Sequence, residues 1–362
     1  MSYFRLPYRR QRGVENHTGS ILALAVTENA KTLATGGSQG TRLFNMDNMT
    51  EVKRPSGAGS RGHTVSLLWA RQTEEHHDVL YSGTQNGYFF CWRQDKESTV
   101  FEETFATQIT HAGEITGLAF DSTNNRLTPT PGCGRRPTFS VKKYSNLLPR
   151  SITFAAFDNS SDRDIIVFGS GHNGPVYTLR GTSGERRSEW NIGSYIGGAA
   201  VDWSEGVFCV NDPYVGPALF RYANRTKTRT FEGSTIITGS DHGKIYAFDV
   251  RSGDTVQTLE TGRAKRVKAV ATAEIGGEPA IIAAHSYTDE GFQQIFVWKR
   301  ARSPIAWDTV VTFLQALVLL GFVIFVYQNV VEKMWQQSKW GRTSWEHPKW
   351  DEMIWEESVD SL

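Results

Sequence analysis

Leu80-Tyr81-Ser82-Gly83-Thr84-Gln85-Asn86-Gly87-Tyr88-Phe89-Phe90-Cys91-Trp92 reads as two short β-strands, rich in aromatic residues, joined at Asn86-Gly87. Asn-Gly favours the φ > 0 conformations that a tight turn between paired strands requires. The chain repeats this unit, as Leu33–Phe44 around Gly40 and as Ile236–Asp249 around Gly243. Aligned on the turn glycine or its nearest equivalent, the copies fall at Gly40, Gly87, Gly134, Gly174, Gly216, Gly243 and Gly291, at intervals of 47, 47, 40, 42, 27 and 48.

A second marker recurs at the same step. His17, His63 and His111 each precede an apolar alternation: Ile21–Val26, Val65–Trp69 and Ile115–Phe120. A period of roughly 40–45 residues with four short strands per unit is that of a propeller blade. The predicted fold is all-β, a seven-bladed β-propeller over residues 1–300.

At these residues the chain resembles the WD-repeat β-propeller family. The resemblance implies a buried network in each blade: a His before the first strand, a Ser or Thr late in the second, an Asp in the turn and a Trp in the third. His17, His63, Ser82, Trp92, His111 and Asp241 fall at such positions. Asn86 and Gln39 stand where the family favours Asp, and Phe44 replaces Trp. The match covers roughly residues 15–300 and speaks for architecture rather than activity.

Blades 3 and 6 depart from the pattern. Leu127–Val141 carries Pro129, Pro131 and Pro137, and proline removes ladder donors, so this blade is expected to be distorted or looped out. The interval of 27 before Gly243 leaves no room for a full first strand, which predicts a sixth blade deficient by one strand or a deletion in the sequence relative to its relatives. Blades 4 and 5 lack the initial His but keep Ile165–Gly169 and Gly206–Val210 as second strands. The last unit supplies three strands, Val267–Ala271, Ala280–Ala284 and Gln294–Trp298. Ser2–Leu6 is expected to add the fourth and close the ring, removing exposed sheet edges.

Beyond a linker at 301–304, residues 305–327 hold one charge, Asp308, near the edge. About 20 apolar residues cross a bilayer as a helix, so a single transmembrane helix is predicted here. The tail, 328–362, places Trp335, Trp340, Trp345, Trp350 and Trp355 at a five-residue step. On a helix that step turns about 140° net, so they do not line one face. Tryptophan beside a span belongs to the headgroup belt, which makes Trp307, Tyr327, Trp335 and Trp340 the expected membrane-interface residues.

Charge near the span is tied: Lys299, Arg300 and Arg302 precede it, while Lys333, Lys339 and Arg342 follow. Met1–Val14 has arginines but no apolar core, and Cys91, Cys133 and Cys209 have neither framework nor metal-ligand spacing. These features favour a cytosolic propeller on an endomembrane.

Lys plus Arg is 39 against 38 for Asp plus Glu, with no basic excess for nucleic acid. The glycine-rich stretches lead into strands, whereas phosphate cradles need a helix N-terminus. Gly36-Gly37-Ser38-Gln39-Gly40 fits the Gly-x-Ser-x-Gly string but leads into a strand, not the helix that a nucleophile elbow needs, and no His-Glu-x-x-His is present. No enzymatic activity, cofactor or metal site is expected. The expected partners are proteins, on the top face or rim of the ring, and a lipid bilayer through 305–327. Candidate contact residues are Glu74, Glu75, His76, His77, Asp212 and Tyr214, on two loops.

The resemblance, extended to fungal WD-repeat-like proteins with a C-terminal transmembrane helix, implies a membrane-tethered scaffold. The alternative, on domain order alone, is similarity to the endoplasmic-reticulum exchange factor for a coat-assembling small GTPase.

Overall fold

Strand-length runs of β-branched and aromatic residues, punctuated by turn glycines, fold into successive antiparallel sheets. The computed structural model describes residues 7–11, 13–52, 61–72, 77–94, 100–109, 113–131, 148–155, 163–170, 173–204, 206–212, 214–222, 235–250, 252–286, 292–301 and 307–335. After β1 (Tyr8–Arg10) and β2 (Val14–Thr18), the first sheet comprises β3 (Ile21–Val26), β4 (Thr32–Gly37), β5 (Gly40–Asn45) and β6 (Glu51–Val52). The second comprises β7 (Thr64–Gln72), β8 (His77–Thr84), β9 (Tyr88–Gln94) and β10 (Phe101–Gln108).

A two-stranded sheet follows, β11 (Ile115–Asp121) with β12 (Arg126–Pro131). Then come β13 (Pro149–Phe154), β14 (Ile165–Gly169), β15 (Pro175–Leu179) and β16 (Arg186–Asn191) in one sheet. The next two sheets have three strands each: β17 (Gly198–Asp202), β18 (Val207–Asp212) and β19 (Gly216–Arg221), then β20 (Thr235–Gly239), β21 (Lys244–Asp249) and β22 (Thr255–Glu260). The last is built on β23 (Val267–Glu274), β24 (Pro279–His285) and β25 (Phe292–Arg300). The innermost strands touch in succession, β23 to β3, β3 to β7, β7 to β11, β11 to β13 and β13 to β17. This is an all-β propeller.

Six sheets of three to five strands stand among the described residues, where the sequence predicts seven blades. The third predicted blade is represented by β11 and β12 alone, and 132–147 lies outside the described residues. Pro129 and Pro131, two apart in β12, leave one and the same edge of that strand without donors. The stretch before β20, where a sixth first strand would lie, is also outside the described residues. The predicted second strands Ile165–Gly169 and Gly206–Val210 form β14 and, one residue later, β18.

Ser2–Leu6, expected to supply the closing strand, lies outside the described residues. The ring closes through the N-terminal segment: β1 and β2 both pair antiparallel with β25, in registers that place Tyr8 opposite Arg300 and His17 opposite Gln293. Between them the chain runs so close to β25 that a Cβ on Gly13 would overlap the Ile295 carbonyl oxygen. Behind this seam, Val14, Ile21, Leu33, Phe44 and Met46 pack with Ile282, Ile295 and Val297, joining the last sheet to the first. Burying side chains of this size contributes roughly 1.5–3 kcal/mol each.

Residues Met1–Ala301 and Arg302–Leu362 form separate compact units. In the second, the helix α1 (Trp307–Val326) passes into a π-turn at Tyr327–Val331, where the Asn329 amide donates to the Phe325 carbonyl (3.1 Å). Helix continues to Trp335, past the predicted boundary at 327. Val311–Trp335 is long and apolar enough to cross a membrane.

Candidate functional site

Positive φ is needed where each second strand turns into its third, and glycine supplies it. Gly40, Gly87, Gly174, Gly216 and Gly243 all have φ between +57° and +97°; Gly134 and Gly291 lie outside the described residues. At Asn86-Gly87 only Gly87 is left-handed (φ +76°), and its N–H returns to the Thr84 carbonyl (3.1 Å), giving a three-residue loop.

Backbone hydrogen bonds place these turns beside the lead-ins to the inner strands. Ser38 N–H donates to Ser20 O, Gln85 N–H to His63 O, Ser170 N–H to Leu148 O, Gly197 N–H to Asn211 O and Val267 N–H to Ser240 O. Turns and lead-ins therefore share one end of the ring, and this end is the candidate interaction face.

The network expected from the resemblance forms only in part. His17 is buried, and its Nε2 bonds the Thr35 hydroxyl at 3.0 Å, with the Phe44 ring centroid 5.9 Å away. Burial, assisted by the Arg42 charge, lowers the His17 pKa to about 4. His63, by contrast, is exposed. Ser82, fully buried, accepts instead from the Thr41 hydroxyl of the preceding blade (3.4 Å), which also bonds Thr64 (3.1 Å). With Asn86 exposed rather than an inward Asp, nothing draws His63 into the core.

Trp92, 1% exposed, is an apolar wedge: it packs with Ala34, Leu43, Leu80 and Phe90, and among the described residues its indole N–H has no acceptor. His111 lies outside the described residues. Asp241 is exposed and pairs with Arg266 at 2.9 Å, so it belongs to the surface and not to a buried network.

Sequence reasoning missed His285. At the end of β24 it is buried, and its Nε2 bonds the Thr261 hydroxyl at 2.8 Å, with burial and then Lys265 and Arg263 lowering its pKa to about 4. A histidine closing the apolar run Ala280–Ala284 is the signal that could have found it. Also missed was Asp121, whose side chain is wholly buried between Arg126 (3.0 Å) and Arg163 (3.1 Å) and accepts from Asn124 (2.7 Å). Burial alone would raise this carboxyl, but the Asn124 amide and the two guanidiniums hold it below the ordinary value. The cluster ties the two-stranded sheet to the next blade through Arg163.

Of the predicted contact residues, Glu74, Glu75 and His76 lie outside the described residues, as does the side chain of His77, whose backbone opens β8. Asp212 is not a surface residue. It is buried, and its carboxylate accepts the N–H groups of Tyr195 (3.1 Å), Tyr214 (2.8 Å) and Val215 (3.3 Å). That carboxylate fixes a hairpin tip on which Tyr214 is 80% and Val215 81% exposed. The Tyr195 ring meets Tyr214 edge-on, 5.2 Å between centroids.

Of the membrane-interface residues, Tyr327 and Trp335 are exposed on the helical segment, Trp307 opens α1, and Trp340 lies outside the described residues.

The WD40 β-propeller domain of Doa1, known from a crystal structure, is similar over 82% of this chain and 98% of that domain, with a TM-score of 0.59 and 13% identity. The fold is that of a WD40 propeller. No known family profile and no curated protein sequence matches the chain.

Proposed function

We propose that this chain is a membrane-tethered protein-interaction scaffold. Its WD40 ring has seven blades, with β11 and β12 the inner half of the third. The hairpin end of the ring receives a protein partner, and 305–327 anchors it in an endomembrane with the propeller in the cytosol. The observation that carries the interaction reading is the Tyr214-Val215 tip. Two large apolar residues stand almost fully in water while a buried carboxylate holds the loop beneath them rigid. Rigid, exposed aromatic anchors are what interface hot spots use, because little side-chain entropy is lost on docking. The long apolar surface of α1 supports the tether.

The experiment is co-purification of partners by the full chain in mild detergent, comparing wild type, Tyr214→Ser with Val215→Ser, and Phe105→Ser on an outer strand. Partners lost only from the tip variant support the reading. Partners retained by it, or an absence of any partner, contradict it. The exchange-factor alternative draws no residue from the described loops.

A further inference from the structure

At the end of the ring opposite the turn glycines, the last two sheets enclose a pocket of about 120 Å³. Its place follows from strand direction. Thr235, in its lining, opens β20 and pairs with Asp249 at the close of β21, the ends of that hairpin remote from Gly243, and Gln257 lies opposite Ala247. Arg300 closes β25 opposite Tyr8. The pocket therefore lies where the closing strand β1 meets β22 of the neighbouring sheet.

Hydrogen bonds hold its walls. The Gln257 side chain accepts the Tyr8 N–H (2.7 Å) and donates to the Tyr8 carbonyl (3.0 Å), so both ends of that amide are spent on β1. Ala301 N–H donates to the Pro7 carbonyl (3.0 Å). The Arg300 guanidinium lies over the Tyr8 ring, 5.2 Å from its centroid, and its Nη2 donates to the Tyr8 hydroxyl (3.2 Å). Its Nε–H is enclosed and has no acceptor among the described residues. Arg300 is the one cation of the described lining, which holds no carboxylate, while Pro7, Ala247 and Val256 make part of that lining apolar. A half-buried guanidinium with an enclosed N–H unmet is short of an acceptor and of a negative charge.

We propose that this pocket binds a small monocarboxylate, its carboxylate on the Arg300 guanidinium and the Tyr8 hydroxyl and its hydrocarbon end against Pro7 and Val256. One guanidinium matches one carboxylate in charge and in fork geometry. Size limits the ligand. An apolar cavity of about 150 Å³ holds benzene, so the space here takes roughly six heavy atoms. A nucleotide or a sugar phosphate is too large, and inorganic phosphate brings surplus charge and nothing for the apolar lining. Because Tyr8 belongs to the closing strand and Arg300 to the strand it pairs with, an occupant clasps β1 to β25. Binding to the folded ring alone stabilises that closure.

The test titrates butyrate into the full chain in mild detergent, followed by saturation-transfer NMR and by the melting temperature. Butyramide, butylammonium and inorganic phosphate are the comparisons. Butyrate should bind with a Kd of about 0.1–1 mM, in keeping with its size, and raise the melting temperature, and the other three should do neither. Arg300→Gln should weaken butyrate binding by about tenfold or more. Val256→Phe should weaken it too, by filling the pocket from a position that is 44% exposed, and should leave the melting temperature without butyrate unchanged. Absence of butyrate binding, equal binding of butyramide or phosphate, or binding undiminished in either variant overturns the proposal. Partner co-purification through the Tyr214 tip is read separately, so failure here leaves the scaffold reading standing.

Discussion

A histidine buried against a single hydroxyl is held neutral, and the described residues include two, His17 on Thr35 and His285 on Thr261. Each imidazole titrates near 6.5 when unfolded and near 4 when folded. Between those values the unfolded chain binds more protons. The stabilisation is therefore complete above about pH 6.5 and is lost as pH falls toward 4. Lowering pH from 7 to 5 should cost about 2 kcal/mol per site. Urea denaturation of wild type and His17→Gln at both pH values checks this: the variant should lose about half of the pH sensitivity, and an unchanged difference contradicts the assignment.

Asp121 obeys the opposite logic, as a carboxylate stabilised by two guanidiniums. Asp121→Asn leaves Arg126 and Arg163 without their shared counter-charge. Because both arginines keep some solvent, the expected loss is about 2–3 kcal/mol, read as a lower urea midpoint. Asp121 was not legible in sequence, since its partners Arg126 and Arg163 are met across strands, and His285 was marked only by its place at the end of the apolar run Ala280–Ala284. His17 was legible because the repeat marks it.

At the scale of elements, the hairpins were the most readable part. Turn glycines announce φ > 0 locally, and every described one shows it. Closure was half readable: three strands in the last blade demanded a fourth, but which N-terminal residues supply it depends on tertiary register. Gly13 decides that register. A methyl group there meets the Ile295 carbonyl, so Gly13→Ala should part β2 from β25. The expected effect is a melting temperature several degrees lower and faster proteolysis near residue 13, against a melting temperature unchanged if the closure is otherwise made. The family-like network in the second blade misled for a related reason. Ser82 and Trp92 sit where the pattern puts them, but the Ser82 hydrogen-bond partner, Thr41, and two of the Trp92 neighbours, Ala34 and Leu43, come from the neighbouring blade. A motif within one repeat does not encode contacts between repeats.

For the whole molecule, a closed ring of antiparallel sheets gives a rigid body whose loops at one end are free to specialise, and one helix outside it is long and apolar enough to cross a membrane. Composition and period spoke for the ring and the helix. They did not separate the exposed candidates from the buried ones, because Asp212 and Tyr214 look alike as loop residues until one is found buried and the other in water. The account joins two claims, tether and platform, and proximity labelling from the propeller tests both in one measurement. Wild type, a chain lacking 305–362, and the Tyr214→Ser, Val215→Ser variant should give three different neighbour sets. Membrane proteins should vanish with the helix, and a discrete group of proteins should vanish with the tip while membrane neighbours remain. Identical neighbour sets from all three chains would contradict the account.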